Sequence, residues 1–279
     1  MMRASHANVY DSARARRLLI TEIGHFWEFR GLLKLLITRD ITVRYKRSFL
    51  GVWWTLLNPL LFTAVMWMVF SQIFRFEIED PVPFIVYLLA GVLIVTYFAQ
   101  GVIAAGSSIV NSSGVLTKVY VPPEIFALSA AAAAAVNFLI SLLPLFAIQL
   151  ILGVGIPWTA LLVPLPALAM LGLVTGIGLL VAAAAVYFYD VLDLTGVFVN
   201  LISYLTPTFW PISIVPDRLQ IFVQLNPIYS YLLVFRNFVY LGQFPPWYVF
   251  AVMIGTSVGA LVLGVWVFSR AWKNLVVLL

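Results

Sequence analysis

Six stretches of this chain carry no Asp, Glu, Lys, Arg or His: Gly51–Phe74, Phe84–Ile109, Ile125–Gly153, Thr159–Tyr189, Thr195–Val215 and Trp247–Ser269. About twenty apolar residues in a helix cross the hydrocarbon core of a bilayer, and tilted helices need a few more. The pattern predicts an all-α integral membrane fold with six transmembrane helices. Composition agrees. The 279 residues are 63% hydrophobic and 10% charged, against about 45–50% and about 25% in soluble domains, and mean hydropathy is +1.05. That excludes a soluble protein with a large core.

Chemistry is bounded by what is missing. There is no Cys, so neither a disulfide framework nor a thiolate metal site is expected. The two His, His6 and His25, both precede the first span, which excludes a His metal site or catalytic dyad within the membrane. No GxxxxGK[ST] phosphate loop occurs. No ionisable residue lies in the middle of a span, whereas proton-coupled transporters usually need one as a relay. The start, MMRASHANVYDSARARR, is polar and lacks the apolar core of a cleavable signal peptide. It reads as a cytoplasmic tail, residues 1–24.

Ten of the sixteen basic residues precede the first span. The loop after it, FRFEIEDPVP, sets Arg75 against Glu77, Glu79 and Asp80; Lys118 lies between spans two and three, and Arg270 and Lys273 follow span six. Lys/Arg enrichment marks cytoplasmic segments. Both termini are therefore expected inside, with residues 270–279 a cytoplasmic tail and 51–269 the six-span domain. The positive charge suits topology and anionic lipid and argues against nucleic acid as a partner.

Within residues 25–50, Phe26, Phe29, Leu32, Leu33 and Leu36 recur at helical spacing between charges. This reads as an amphipathic helix in the cytoplasmic interface, with Trp27 and Tyr45 as anchors. A passive membrane anchor fits the same pattern. After span two, Ser112, Ser113 and Gly114 break the helix, VLTKVY suits one or two turns, and Pro122-Pro123 restarts the chain at Glu124. Such a segment serves as a docking element or as an ordinary loop.

Leu205–Trp247 is too apolar for a solvated loop, yet Pro207, Pro211, Pro216, Pro227, Pro245 and Pro246 cut it into pieces too short to span. Two short re-entrant helices on the outer face, around Arg218–Val223 and Pro227–Tyr240, are expected; one broken extra span is the alternative. Such pieces are tolerated at membrane depth only against protein or a cavity. Arg218 and Arg236 then sit near the outer headgroups or face a polar path. Small residues at Gly172/Gly176, Gly255/Gly259 and Ala130–Ala135 suit close helix packing.

Two chemistries remain. Asp190 and Asp193 form an Asp-x-x-Asp at a helix end, a Mg²⁺-diphosphate motif in membrane prenyltransferases; a solvated turn accounts for it too, and a second acid-rich motif is missing. The other is aromatic. There are 21 Phe, 12 Tyr and 9 Trp, and Trp67, Phe70, Tyr97, Phe98, Tyr204, Phe209 and Trp210 fall inside spans. Buried Tyr and Trp need polar partners. An uncharged aromatic path suits a neutral sugar chain, with ring stacking on C–H faces and hydroxyls meeting Tyr and Asn. Packing and interfacial belts explain any one of these residues as well.

RDITVRYKRSFLGVWWTLLNPLL (Arg39–Leu61), VYVPPEIF (Val119–Phe126) and TPTFWPISIVPDRLQIFVQLNPIYSYLLVFRN (Thr206–Asn237) together resemble the membrane subunit of ABC-2-type polysaccharide exporters, over nearly the whole chain. That family includes permeases for O-antigen, capsule, teichoic acid and mycobacterial galactan. The resemblance implies a homodimer of six-helix subunits in the bacterial inner membrane, with two copies of a separate ATPase subunit that binds ATP and Mg²⁺. It implies that this chain itself holds no cofactor, no metal and no catalytic residue, and that lipid-linked polysaccharide is the cargo. The resemblance implies that Arg39, Arg44, Tyr45, Lys46 and Arg47 belong to an interface or gate helix. Asn111, Thr117, Lys118, Tyr120, Pro122 and Pro123 belong to the helix that couples to the ATPase. Arg218, Asn226, Pro227, Tyr229 and Arg236 belong to an outer gate. A drug- or lipid-exporting ABC-2 permease shares this architecture.

Overall fold

The computed structural model of the chain describes residues 29–46, 48–73, 82–116, 118 and 121–275. The N-terminal tail, His25, Trp27, Arg47, the acidic loop from Arg75 to Asp80, Thr117, Tyr120 and residues 276–279 lie outside them, as do the side chains of Arg44 and Lys273. Every regular element among the described residues is helical.

Helix α1, Arg30–Tyr45, precedes α2, Trp53–Met68, which a π turn continues over Val69–Ile73. Then come α3, Phe84–Asn111, the single turn α4, Ser113–Leu116, and α5, Glu124–Ile151. A 3-10 turn at Trp158–Leu162 leads into α6, Pro164–Ala185, and α7 follows over Asp190–Leu205. A further 3-10 turn, Ile212–Ile214, precedes α8, Asp217–Gln224, and α9, Pro227–Arg236. Asn237–Leu241 makes a π turn, and α10, Trp247–Leu275, closes the order.

Five helices are long and apolar enough to cross a membrane: Trp53–Gln72, Phe84–Asn111, Glu124–Ile151, Trp158–Ala185 and Trp247–Trp272. The stretch expected as the fifth span, Thr195–Val215, is not one helix. Its helix stops at Leu205, and Thr206 is extended (φ −78, ψ 132). The cause is local: Pro207 and Pro211 lack the N–H groups that another turn needs. The stretch expected as the fourth span is also subdivided. Pro164 takes the first position of α6, where a missing N–H costs nothing, and Tyr187–Tyr189 lie in the connection beyond it. Helix α5 ends where Gly153 turns left-handed (φ 73) and the Val154 amide reaches back to the Gln149 carbonyl, a C-terminal arrangement that glycine makes cheap.

Helix α3 is the centre of the bundle. It packs on α5, α6, α2, α7 and α9, and α10 lies along α6. The α6–α10 seam depends on missing side chains. A Cβ on Gly176 would run into the backbone of Ala260, and one on Gly264 into Gly176. Gly172 leaves room for Ser257, whose hydroxyl donates to the Ala169 carbonyl at 2.7 Å. Gly264 is therefore a partner of Gly176, while Gly172 faces Ser257. Gly255 and Gly259, which the sequence also suggested for close packing, have nothing within 4 Å of a Cβ position. They lie on the exposed face of α10, where none of the described residues approaches.

Candidate functional site

Four helices and the break after α7 surround a cavity of about 690 Å³, within the usual range for small-molecule sites. Helix α2 contributes Trp54, Thr55, Asn58, Pro59 and Phe62; α3 contributes Thr96, Tyr97 and Gln100; α5 contributes Asn137, Phe138 and Ser141. Asn200, Ser203 and Tyr204 come from α7, Thr208 and Phe209 from the break, and Tyr45 from the end of α1. No charged side chain lines it.

The polar members follow one rule. Thr55/Asn58, Thr96/Gln100, Asn137/Ser141 and Asn200/Ser203/Tyr204 each stand three or four residues apart, the spacing that puts side chains on one helix face. Four polar stripes on otherwise apolar helices thus converge. A search for ionisable groups in the spans passes over them, because Asn, Gln, Ser and Thr carry no charge.

The α2 wall shows how the sequence builds this. Pro59 cannot donate to the carbonyl of Thr55, four residues earlier. The hydroxyl of Ser141 on α5 shares its one proton between that carbonyl, at 3.2 Å, and the Asn137 carbonyl, at 2.8 Å. Asn137 Oδ1 in turn accepts from the Tyr45 hydroxyl at 3.2 Å, and the Tyr45 and Thr55 hydroxyls bond to each other.

Of the seven aromatics expected in a path, Tyr97, Tyr204 and Phe209 line the cavity. Tyr97 stacks on Phe138 (5.1 Å, 21°) and donates to the Ala167 carbonyl at 3.1 Å. Tyr204 is 72% exposed. Both Tyr97 and Phe98 are buried, but Phe98 is not part of the lining, because it follows Tyr97 round the helix by about 100°. Phe70 stacks on Phe209 (6.2 Å, 4°) outside the lining, and Trp67 lies on the exposed side of α2. Trp210 contributes its carbonyl, which accepts from the Tyr87 hydroxyl at 2.9 Å.

The segment expected as an outer gate does form two short helices, α8 and α9, and its residues divide by environment. Arg218 is exposed and Tyr229 half-buried. Asn226 caps α9: its Oδ1 accepts from the Ile228 amide at 3.0 Å, with Pro227 in the first helical position. Its Nδ2 donates to the Ile202 carbonyl and the Thr206 hydroxyl, which ties α9 to the end of α7. Arg236 is neither at a surface nor on the cavity. It is 6% exposed and donates to the carbonyls of Pro207 (3.0 Å), Thr208 (3.3 Å) and Tyr87 (3.3 Å), 3.6 Å from the centre of the Tyr87 ring. Broken backbone away from water must find donors within the protein, and this guanidinium supplies them.

On α1, Leu36 is buried against the bundle while Arg39 pairs with its neighbour Asp40 at 2.9 Å, exposed. Lys46 is exposed. At the other candidate docking segment, Asn111 ends α3, α4 makes one turn and Lys118 is exposed; Pro122 is half-buried and Pro123 buried beside Glu124. Asp190 and Asp193 are exposed in the first turn of α7, where the helix dipole favours acids. Among the described residues no group of three or more His, Cys, Asp or Glu could hold a metal.

The pattern of the family described as ABC-2 type transporter matches residues 31–240, from the start of α1 through the cavity walls to the π turn after Arg236. The chain belongs to the ABC-2 type transporter family. This multi-pass ABC-2 membrane subunit is 28% identical over 229 residues to an O-antigen export system permease protein, RfbA, of Myxococcus xanthus, covering 81% of this chain and 87% of that one. It is 23% identical over 241 residues to the RfbA permease of Klebsiella pneumoniae, covering 86% and 91%. Both alignments span most of each protein, so the resemblance extends beyond a single motif.

Proposed function

We propose that the chain is the permease of an ATP-driven exporter that carries polyprenyl-diphosphate-linked polysaccharide across a bacterial inner membrane. The observation that carries this is the cavity: uncharged, ringed by Tyr and Phe, and striped with Asn, Gln, Ser and Thr from four helices. Such a lining stacks on the C–H faces of sugars and exchanges hydrogen bonds with their hydroxyls. The similarity to O-antigen export permeases supports the same cargo class.

The proposed assembly is two copies of this chain with two ATPase subunits, which bind ATP and Mg²⁺. Asn58 and Asn200 line the cavity and are also exposed, on apolar helices. Carboxamides facing lipid are costly, and α2 is the least buried of the five long helices. A second copy against this side would cover both and close the path at the dimer axis. Helix α7 with the extended break after Leu205 forms the sixth crossing, which returns the C-terminus to the cytoplasmic side. Helices α8 and α9 form the outer gate without crossing, and α1 lies in the cytoplasmic interface. Thr117, Lys118 and Tyr120, with the flanking Asn111, Pro122 and Pro123, meet the ATPase. ATP-driven closure moves that segment and spreads the gate.

The test is co-expression with the ATPase subunit from the same genome, then ATP hydrolysis with and without lipid-linked glycan. A two-plus-two complex stimulated by glycan is expected. Stimulation by a glycan-free lipid to the same extent would refute the sugar cargo. A chain that purifies alone and responds to no ATPase would refute the exporter.

A further inference from the structure

The Tyr45 hydroxyl stands among groups from three elements. It donates to Asn137 Oδ1 on α5 at 3.2 Å and bonds the Thr55 hydroxyl on α2. With its proton on Asn137, it accepts from Thr55. One donor and one acceptor meeting one hydroxyl is the pattern that an alcohol satisfies. All three residues line the cavity. The amide nitrogen of Asn137 has no acceptor among the described residues, so the subsite keeps an unused donor. Ser141 fixes the geometry from behind by holding the Thr55 and Asn137 carbonyls.

Tyr45 is also the last residue of α1, and the chain turns extended at Lys46 (ψ 129). At the C-terminal end of α1 the phenol bonds to α2 and α5, and Leu36 and its neighbours pack apolar surface against the bundle. Whatever displaces the phenol loosens the C-terminal end of α1.

Resting on the glycan-export reading, we propose that Thr55 and Asn137 form a hydroxyl subsite that Tyr45 occupies in this structure, and that a hydroxyl of an uncharged sugar takes its place. Tyr45 is thus a ligand-displaced latch between cavity and interface helix. The exchange is of hydrogen bonds only. An anionic sugar is disfavoured, since the subsite and the whole lining offer no cation and would leave a charge uncompensated.

The chain has no cysteine, so a single Val43→Cys, at an exposed position on α1, takes an environment-sensitive fluorophore cleanly. The full complex with its ATPase, in lipid nanodiscs, is then titrated with a tritiated, alkyl-linked neutral galactose oligomer. Tyr45→Phe keeps the ring and removes the competing hydroxyl; Thr55→Val keeps the shape and removes a subsite partner. Both should shift the fluorophore without glycan, and glycan should shift it in the parent. Tyr45→Phe should bind the oligomer about fivefold tighter, the worth of one hydrogen bond, and Thr55→Val about fivefold weaker. Equal affinity in the parent and Tyr45→Phe, with an unmoved fluorophore, would overturn the latch and leave the export reading standing. No binding to any of the three, while a glycan-free polyprenyl lipid stimulates hydrolysis, would overturn the sugar reading and the subsite together.

Discussion

Arg236 shows how much one side chain can hold. Its guanidinium donates to the carbonyls of Pro207 and Thr208 in the break after α7 and to that of Tyr87 near the start of α3. Arg236→Met keeps the length and strands carbonyls of buried residues. We expect a loss of about 3 kcal/mol, read as a fall of several degrees in the melting temperature of the detergent-solubilised chain. Glycines make the opposite case. Gly176→Ala should lower that temperature because its Cβ meets the backbone of Ala260, while Gly255→Ala should leave it unchanged, having open space. Both glycines look alike in sequence, because a small residue at an i, i+4 spacing records only that approach is possible. Arg236 was legible as an unusual cation in an apolar segment, but its partners are 28, 29 and 149 residues away.

At the scale of elements, proline placement does most of the work. Pro59 frees the Thr55 carbonyl, and Ser141 takes it. The two are therefore coupled. Ser141→Ala should cost about 1 kcal/mol in the parent and much less in a Pro59→Ala background, where the new amide fills the carbonyl. A double-mutant cycle of thermal stability measures it; additive effects would break the argument. Pro207 and Pro211 end α7 sixteen residues after it starts, so an apolar stretch long enough to cross a membrane is helical only in part. The Asn226-Pro227 start of α9 is local cap chemistry and was legible as such. The reach of Asn226 to Ile202 and Thr206 was not, since it needs the end of α7 folded back beside it.

The described residues form a bundle centred on α3 with a polar cavity at its side. Two outcomes belong here, both read in glycan-export and ATPase assays of the reconstituted complex. Asp190→Asn with Asp193→Asn should leave export intact, because both carboxylates are exposed in the first turn of α7, away from the cavity lining. Lys118→Glu should uncouple ATP hydrolysis from export, given its exposure beside α4; unchanged export would count against a docking role there.

The sequence by itself determined the membrane class, five of the six stretches expected to span, and the two short helices before the last one. Each follows from contiguous hydrophobicity, local periodicity or proline chemistry, which act within a few residues. Tertiary structure alone decided which polar residues share a space. Asn58, Gln100, Asn137 and Asn200 lie on four different helices, and only the rotation and neighbours of each helix bring them to one cavity while turning Phe98 into the core. Their convergence is a property of packing, which depends on contacts far apart in the chain.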